Sequence, residues 1–324
     1  MKKITVIGGG TGTFVVLSGL KKYNVDLSVI VSMMDSGGST GKLRDQLGVL
    51  PPGDVRQCLV ALSEAPLFWR KLFLYRFDSG DLKGHNFGNI LLSTLEKISP
   101  NYQQVINKAS FILKCKGNVY PITFEKSNLC VQYDDGEIIE GEGLIDKATH
   151  KTVKIKKCYL SPKPVINPLA VKSIEQSKYL VIGPGDLYTS LIPNLIVPGM
   201  KEAIKTSKAK VIYIMNLMTK PGQTNSYNAS NHIEDLEKYL GRSIDYVLMN
   251  NKRIPQSVIE HYKQELEEPV IDDLGTVGNV LRLDLLSKTV YNKTSNDTAE
   301  RSLIRHDSLK IAKAITELIN TKVL

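Results

Sequence analysis

Two glycine-rich stretches near the amino terminus carry the first groups able to do chemistry. Gly8-Gly9-Gly10-Thr11-Gly12 follows the apolar run Ile4-Thr5-Val6-Ile7 and opens a segment, Thr13 to Lys22, with helical apolar spacing at Phe14, Leu17 and Leu20. Glycines there let backbone amides approach an anion, and the head of a helix adds about half a positive charge. A dinucleotide fingerprint would carry glycine at Thr13 and an acid where Ser32 ends the second run, so a nicotinamide enzyme is poorly supported. The strand–loop–helix context favours a phosphate-binding turn over a tight turn without ligand. The second stretch, Asp35-Ser36-Gly37-Gly38-Ser39-Thr40-Gly41-Lys42, is one residue short of an ATPase P-loop and has Leu43 where Ser or Thr is required. It reads as a flexible polar loop whose Asp35, hydroxyls, Lys42 and Arg44 suit a phosphate or a sugar.

Three more polar, glycine-bearing junctions follow. Gly84-His85-Asn86-Phe87-Gly88-Asn89 precedes a helical segment, while Gly183-Pro184-Gly185-Asp186-Leu187-Tyr188-Thr189-Ser190 and Asn216 to Gly222 each follow an apolar run. In an open parallel sheet, loops after strands converge on the carboxyl edge, where ligands bind. Several such turns together point to a site far better than one does. His85 alone fits a structural histidine as well as a catalytic one.

These loops need elements to hold them. Leu27 to Val31 completes a βαβ unit with the first strand and helix, and Tyr179–Ile182, Val211–Met215 and Tyr246–Met249 read as further strands. Asp54 is placed to cap a helix running to about Glu64, and another helix spans Phe87 to Lys97. Between Phe111 and Leu160 the period shortens. Phe111–Leu113, Val119–Phe124, Leu129–Tyr133 and Val153–Tyr159 read as short strands, antiparallel if turns such as Asp134-Asp135-Gly136 are hairpins. The expectation is a single α/β domain over residues 1–324, a parallel sheet flanked by helices, with a β-rich insertion over 111–160 and a last amphipathic helix from Ser308 to Ile319.

Composition narrows the function classes. The chain has 324 residues, 42% hydrophobic and 23% charged, which is ordinary globular usage. No apolar stretch is long enough to span a bilayer, so membrane insertion is not expected. The net charge of +9 admits nucleic acid, anionic membrane or phosphorylated small molecules as partners. Its densest cluster, Lys151 to Lys157, alternates like the wet face of a strand, which favours a solvated face over a nucleic-acid patch. Four cysteines without a CxxC pair, in apolar contexts, fit reduced thiols in a cytoplasmic protein. The five histidines show no zinc-ligand spacing. The sequence leaves the oligomeric state open, a homo-oligomer included.

Taken in order, GGGTG, DSGGSTGKLR, LGVLPPGDVRQCLVAL, GHNFGN, GPGDLYTSLIPNL, NLMTKPGQT and LIRHD closely resemble the YvcK branch of the YvcK/CofD-like family. The resemblance runs from Lys3 to the last helix. It implies a Rossmann-like core with a β-rich insertion. The CofD branch comprises 2-phospho-L-lactate transferases, which move a lactyl-phosphate group from a guanosine diphosphate carrier with magnesium. The YvcK branch comprises cytoplasmic bacterial gluconeogenesis factors that bind UDP-sugars such as UDP-N-acetylglucosamine and support cell shape and wall synthesis on gluconeogenic carbon.

The family's functional residues carry over one by one. Gly8, Gly9, Gly10 and Gly12 match its phosphate-binding turn, with Thr11 and Thr13 as hydroxyl donors. Asp35 matches the first of a carboxylate pair facing the acceptor in the transferases, but Ser36 stands at the second position. A lone carboxylate binds magnesium and deprotonates a hydroxyl less well than a pair, which weakens the transferase reading. Gly183, Gly185, Asp186, Tyr188, Thr189 and Ser190 match the segment nearest the nucleotide, and Asn216 and Thr219 match polar loop positions at the cleft. Around them the polar loops bring Gly37, Gly38, Ser39, Lys42, Arg44, His85, Asn86 and Asn89. Arg305 matches the arginine, and Tyr262 the tyrosine, that the YvcK branch uses for its UDP-sugar. Ser308 stands where relatives carry a phosphorylatable threonine. The leading expectation is a UDP-sugar-binding regulator, and its rival a phosphotransferase using Asp35 and magnesium.

Overall fold

The computed structural model describes residues 1–289 and 303–320. Its strands are β1 (Lys2–Gly8), β2 (Val25–Val31), β3 (Asn118–Pro121), β4 (Asn128–Tyr133), β5 (Ile138–Glu140), β6 (Ile155–Ser161), β7 (Tyr179–Ile182), β8 (Lys210–Ile214), β9 (Tyr246–Asn250) and β10 (Val280–Leu283). Seven of them form one parallel sheet in the order β10-β9-β8-β7-β1-β2-β3. Ile4, Val6 and Ile7 in β1 are fully buried, as a central strand covered on both faces requires. Chain order runs outward from β1 through β2 to β3, then restarts on its other side at β7. The boundary between β1 and β7, paired from Ile4↔Tyr179 to Ile7↔Ile182, is therefore the point where the strand order reverses.

Helices flank this sheet. Those used below are α1 (Gly10–Leu20), α2 (Gly38–Leu47), α3 (Gly53–Leu62), α4 (Leu67–Leu74), α5 (Phe87–Ile98) and α6 (Tyr102–Ile112). The last helix, Ser308–Asn320, buries Ile311, Ala312, Ile315 and Ile319 and packs on α1. Asp307 caps it, its Oδ1 accepting the Leu309 and Lys310 amides at 2.9 and 3.1 Å.

Four local expectations change. Residues 38–47 are helical rather than a flexible loop, because Gly37 serves as an N-cap and Leu43 is buried. Asp54 does not cap α3, whose N-cap is Pro52; it lies in the first turn, free to point toward β1. Phe111–Leu113 ends α6, since Val105, Ile106 and Ala109 bury a helical stripe that a three-residue apolar run cannot reveal. Asn118–Pro121 joins the edge of the main sheet, parallel to β2. The antiparallel sheet is thus narrower than 111–160, with order β5-β4-β6 across residues 128–161. The Asp134-Asp135-Gly136 turn does join antiparallel strands there. Leu129, Val131, Tyr133 and Leu160 enter the same core as the main sheet, and Tyr133 Oη donates to Gly222 O at 2.9 Å.

Candidate functional site

The loops after β1 and β7 meet at the reversal point. Gly12 in α1 lies so close to the Pro184 carbonyl that a methyl group there would overlap it, and Gly10 takes φ +66° as the chain enters the helix. A methyl on Gly10 would sit 4.0 Å from Ser190 Oγ, so Ser190 faces the head of α1. Asn216, following β8, accepts the Gly185 amide at 3.5 Å. Gly8, Gly9, Gly10, Thr11 and Gly12 thus share one rim with Gly183, Gly185, Asp186 and Asn216. Thr13 is on the same turn, but its buried hydroxyl donates back to Gly9 O at 3.1 Å and stabilises the turn.

Two other expected contacts turn inward as well. Tyr188 is buried, and its hydroxyl donates to Asp235 and lies 3.1 Å from Tyr227 Oη, locking the π-helical turn Leu187–Leu191 to the helix Ala229–Leu240. Thr189 Oγ1 reaches Gln223 Oε1 at 3.5 Å, while Gln223 Nε2 donates to Asp146 at 2.7 Å.

The rim is more acidic than the sequence reading anticipates. Asp54 reaches Gly9, where a methyl group would overlap its carboxylate, and it accepts the Gly10 amide. Burial, then the neighbouring Asp35, pushes its pKa up to about 7. Asp35 accepts the Gly37 amide at 2.9 Å and the Thr40 hydroxyl, and burial raises its pKa. Glu142, from a helical turn after β5, accepts the Ser36 amide at 3.2 Å, while Ser36 Oγ accepts the Gly143 amide at 2.9 Å. Burial, Asp35 and Asp146 raise Glu142 to about 10; burial and Asp186 raise Asp146 to about 6. Carboxyls this close cannot all ionise without a compensating charge. Among the described residues no three or more His, Cys, Asp or Glu side chains come together as a metal cage.

The Gly84–Asn89 junction braces this rim. Asn86 caps α5 by accepting the Asn89 amide at 3.2 Å, and Ser39 Oγ accepts the Asn86 amide at 3.2 Å. Asn89 Oδ1 accepts from buried Arg56 at 2.7 Å, and its Nδ2 donates to Ser39 and Thr40. His85 Nδ1 stands 3.3 Å from Ser39 Oγ, and burial, with Lys42 and Arg76, lowers its pKa. Arg44 reaches Asp45 and Asn128, bridging α2 to β4, whereas Lys42 is exposed beside exposed Gly38.

A second part of the rim lies beyond β8 and β9. A cavity of about 220 Å³ is lined by Asn216, Leu217, Ile254, Ile259, Lys252 and Arg253, among others. Thr219 is buried and exchanges hydrogen bonds with Glu268, through its amide at 2.7 Å and its hydroxyl at 2.9 Å, so it shapes the loop. Tyr262 sits in a small apolar cluster with Met218, Ile254 and Ile304, its hydroxyl accepting the Ile304 amide at 3.2 Å. That bond anchors the segment holding half-buried Arg305. The neighbouring His306 ring bonds the Met215 backbone, which sets this segment against the carboxyl end of β8. Ser308 is the first residue of the last helix.

A mostly parallel sheet with its loop cluster at the reversal point defines a Rossmann-like α/β protein. The family profile described as 2-phospho-L-lactate transferase CofD matches residues 4–290. The gluconeogenesis factor of Bacillus subtilis is 36% identical, with 98% of each chain covered, and that of Halalkalibacterium halodurans is 38% identical across 98% of this chain and 96% of its own. A crystal structure of a UPF0052 family member from Bacillus halodurans superposes with TM-score 0.88 at 38% identity, covering 97% of this chain and 99% of the other. The chain belongs to the YvcK/CofD-like family.

Among the described residues no helix is long and apolar enough to cross a membrane. Sequence reasoning missed Asp54, Arg56, Glu142, Asp146, Gln223 and the Lys252–Arg253 pair as rim residues. The Glu142/Asp146 spacing of four was a readable signal, since it puts both acids on one face of a helical turn.

Proposed function

We propose that this chain is a cytoplasmic gluconeogenesis factor that binds a UDP-sugar such as UDP-N-acetylglucosamine and links carbon supply to cell shape and wall synthesis. The observation that carries this reading is the meeting of the α1 head with the Gly183–Ser190 loop, beside the cavity at Asn216. The cavity has an apolar wall of Leu217, Ile254 and Ile259 and a cationic side at Lys252 and Arg253, a pairing that suits a pyrimidine nucleoside joined to a diphosphate. Arg305 then supplies a fork able to hold two phosphate oxygens. Relatives named gluconeogenesis factors, matched over nearly their whole length, support the gluconeogenesis-factor part of this reading.

Thermal-shift measurements test it. At a hundredfold excess over its dissociation constant, UDP-N-acetylglucosamine stabilises the fold by about 2.7 kcal/mol, and Arg305→Ala removes that shift. An unchanged shift in the variant takes Arg305 out of the site.

The carboxylate pair favours one further reading. Ser36 fills the second position of the family's pair, but Asp54 brings a second carboxyl to Asp35 from α3. Two crowded, buried carboxyls, each with its pKa raised, fit a magnesium ion, which is commonly held by one or two carboxylates together with substrate phosphates. Asp35 and Asp54 would hold it, and the ion would neutralise charge at a reacting phosphoryl group. In this reading the chain is a 2-phospho-L-lactate transferase-like enzyme. Stabilisation by guanosine rather than uridine nucleotides, dependent on magnesium, would replace the first reading with this one.

A further inference from the structure

Helix α4 is packed inside out for a surface helix. Phe73 is its one fully buried side chain, while Leu67 is 60% exposed, Phe68 67%, Leu74 47% and the following Tyr75 50%. These residues fall at i, i+1, i+7 and i+8 around exposed Lys71, so a single outward stripe carries the apolar groups. A contiguous exposed apolar patch of this kind marks a contact surface.

A second segment packs next to the residues that lead into α4. The chain from Lys114 to Lys116 runs beside Leu62–Ala65, with Glu64 N donating to Lys114 O at 3.2 Å and Ala65 N to Leu113 O at 3.1 Å. Just before it, Phe111 is 86% exposed. Cations border these rings. Lys71, Lys114 and Lys116 are exposed, Arg70 is half-buried, and Lys21 is close enough to Arg70 to feel its charge, with Glu64 set against them. Leu, Phe and Trp beside Lys and Arg is the composition of segments that lie flat in the headgroup region of an anionic bilayer. The chain's +9 charge draws it toward the same surface. A twofold pairing of this face with a second copy would instead bring two sets of these cations into one interface.

We infer that α4, with Phe111 and the surrounding lysines, is a peripheral docking surface for anionic lipid headgroups. The surface needs no spanning helix and uses none of the side chains assigned to the carboxyl-edge rim, so it stands whether or not the ligand reading holds.

Trp69, the chain's single tryptophan, lies off the stripe but is 38% exposed with its ring edge-on to Phe68, centroids 5.8 Å apart, so its emission reports contact made through Phe68. The full chain is titrated with vesicles of phosphatidylglycerol and, separately, of phosphatidylcholine, following Trp69 emission and co-sedimentation. The expected result is a blue shift and sedimentation with phosphatidylglycerol only, weakened by added salt. Lys71→Glu or Lys114→Glu should each lower the apparent affinity at least about fivefold, and Phe68→Ser about tenfold. Phe68, Lys71 and Lys114 are exposed, and circular dichroism checks that each variant folds. If Phe68→Ser misfolds, the two charge variants decide. No response to phosphatidylglycerol, or an equal response to both lipids, overturns the inference. So does light scattering that shows a dimer returned to monomer by Phe68→Ser, which would assign the stripe to a second copy.

Discussion

Asp54 competes with any phosphate for the amide at the head of α1. Its carboxylate already accepts the Gly10 N–H, so a diphosphate entering there must displace it, protonate it or be joined to it through a cation. The folded-state pKa of about 7 lies above the usual aspartate value. The native state therefore holds an extra proton between about pH 4 and pH 7, and stability falls as pH rises through that window. Asp54→Asn keeps an acceptor for Gly10 but removes the charge. The variant should be more stable than the parent by about 1–2 kcal/mol at pH 8 and by much less at pH 5. Urea denaturation at the two pH values measures this, and a pH-independent difference would mean that Asp54 is not strained by ionisation. Sequence pattern alone could not reveal the role. An aspartate just after Pro-Pro-Gly has the local signature of a helix cap, and only the tertiary approach of β1 turns its carboxyl toward Gly9 and Gly10. Tyr188 and Thr189 show the converse: their place in a motif was legible, but the partners that draw them inward, Asp235 and Gln223, lie dozens of residues away.

Among elements, the contact of α1 with the Gly183–Gly185 loop fixes the geometry of the rim. Gly12 permits it, since a side chain there would meet the Pro184 carbonyl and the Gly185 amide nitrogen, both backbone atoms that cannot swing aside. Gly12→Ala should therefore cost about 2–3 kcal/mol and also abolish the UDP-N-acetylglucosamine thermal shift, because the two loops can no longer close together. Retained ligand stabilisation in a destabilised Gly12→Ala protein would show that the ligand does not bridge α1 and the loop after β7. The strands and the glycine turns that end them were legible because parallel strands buried on both faces read as unbroken apolar runs. Helix α2 was not, as five polar or glycine residues precede its first buried leucine. The Phe-Ile-Leu run at 111–113 is ambiguous by nature, since three apolar residues satisfy either period.

At the scale of the whole molecule, the small antiparallel sheet is joined to the main sheet closely enough to share its fate. Its inward side chains Leu129, Val131, Tyr133 and Leu160 belong to the same continuous core as β1 and β7. Hydrogen bonds reinforce the join: Tyr133 Oη to Gly222 O at 2.9 Å, Asn225 Nδ2 to Lys151 O at 2.6 Å, and the Cys158 amide to Tyr239 Oη at 3.2 Å. Glu142 then extends from this sheet to hold Ser36, so the insertion forms one wall of the rim. Regions that open independently have few buried apolar contacts and solvent-exposed backbone bonds, which is the opposite of what β4 shows. Native-state hydrogen exchange should accordingly find the central amides of β4 and of β1 opening with the same free energy and the same denaturant dependence. Saturation with the proposed ligand should raise both by an equal amount. Exchange of β4 at a clearly lower free energy than β1 would make the small sheet a separate folding unit, and would leave the Glu142 contact too transient to shape the rim.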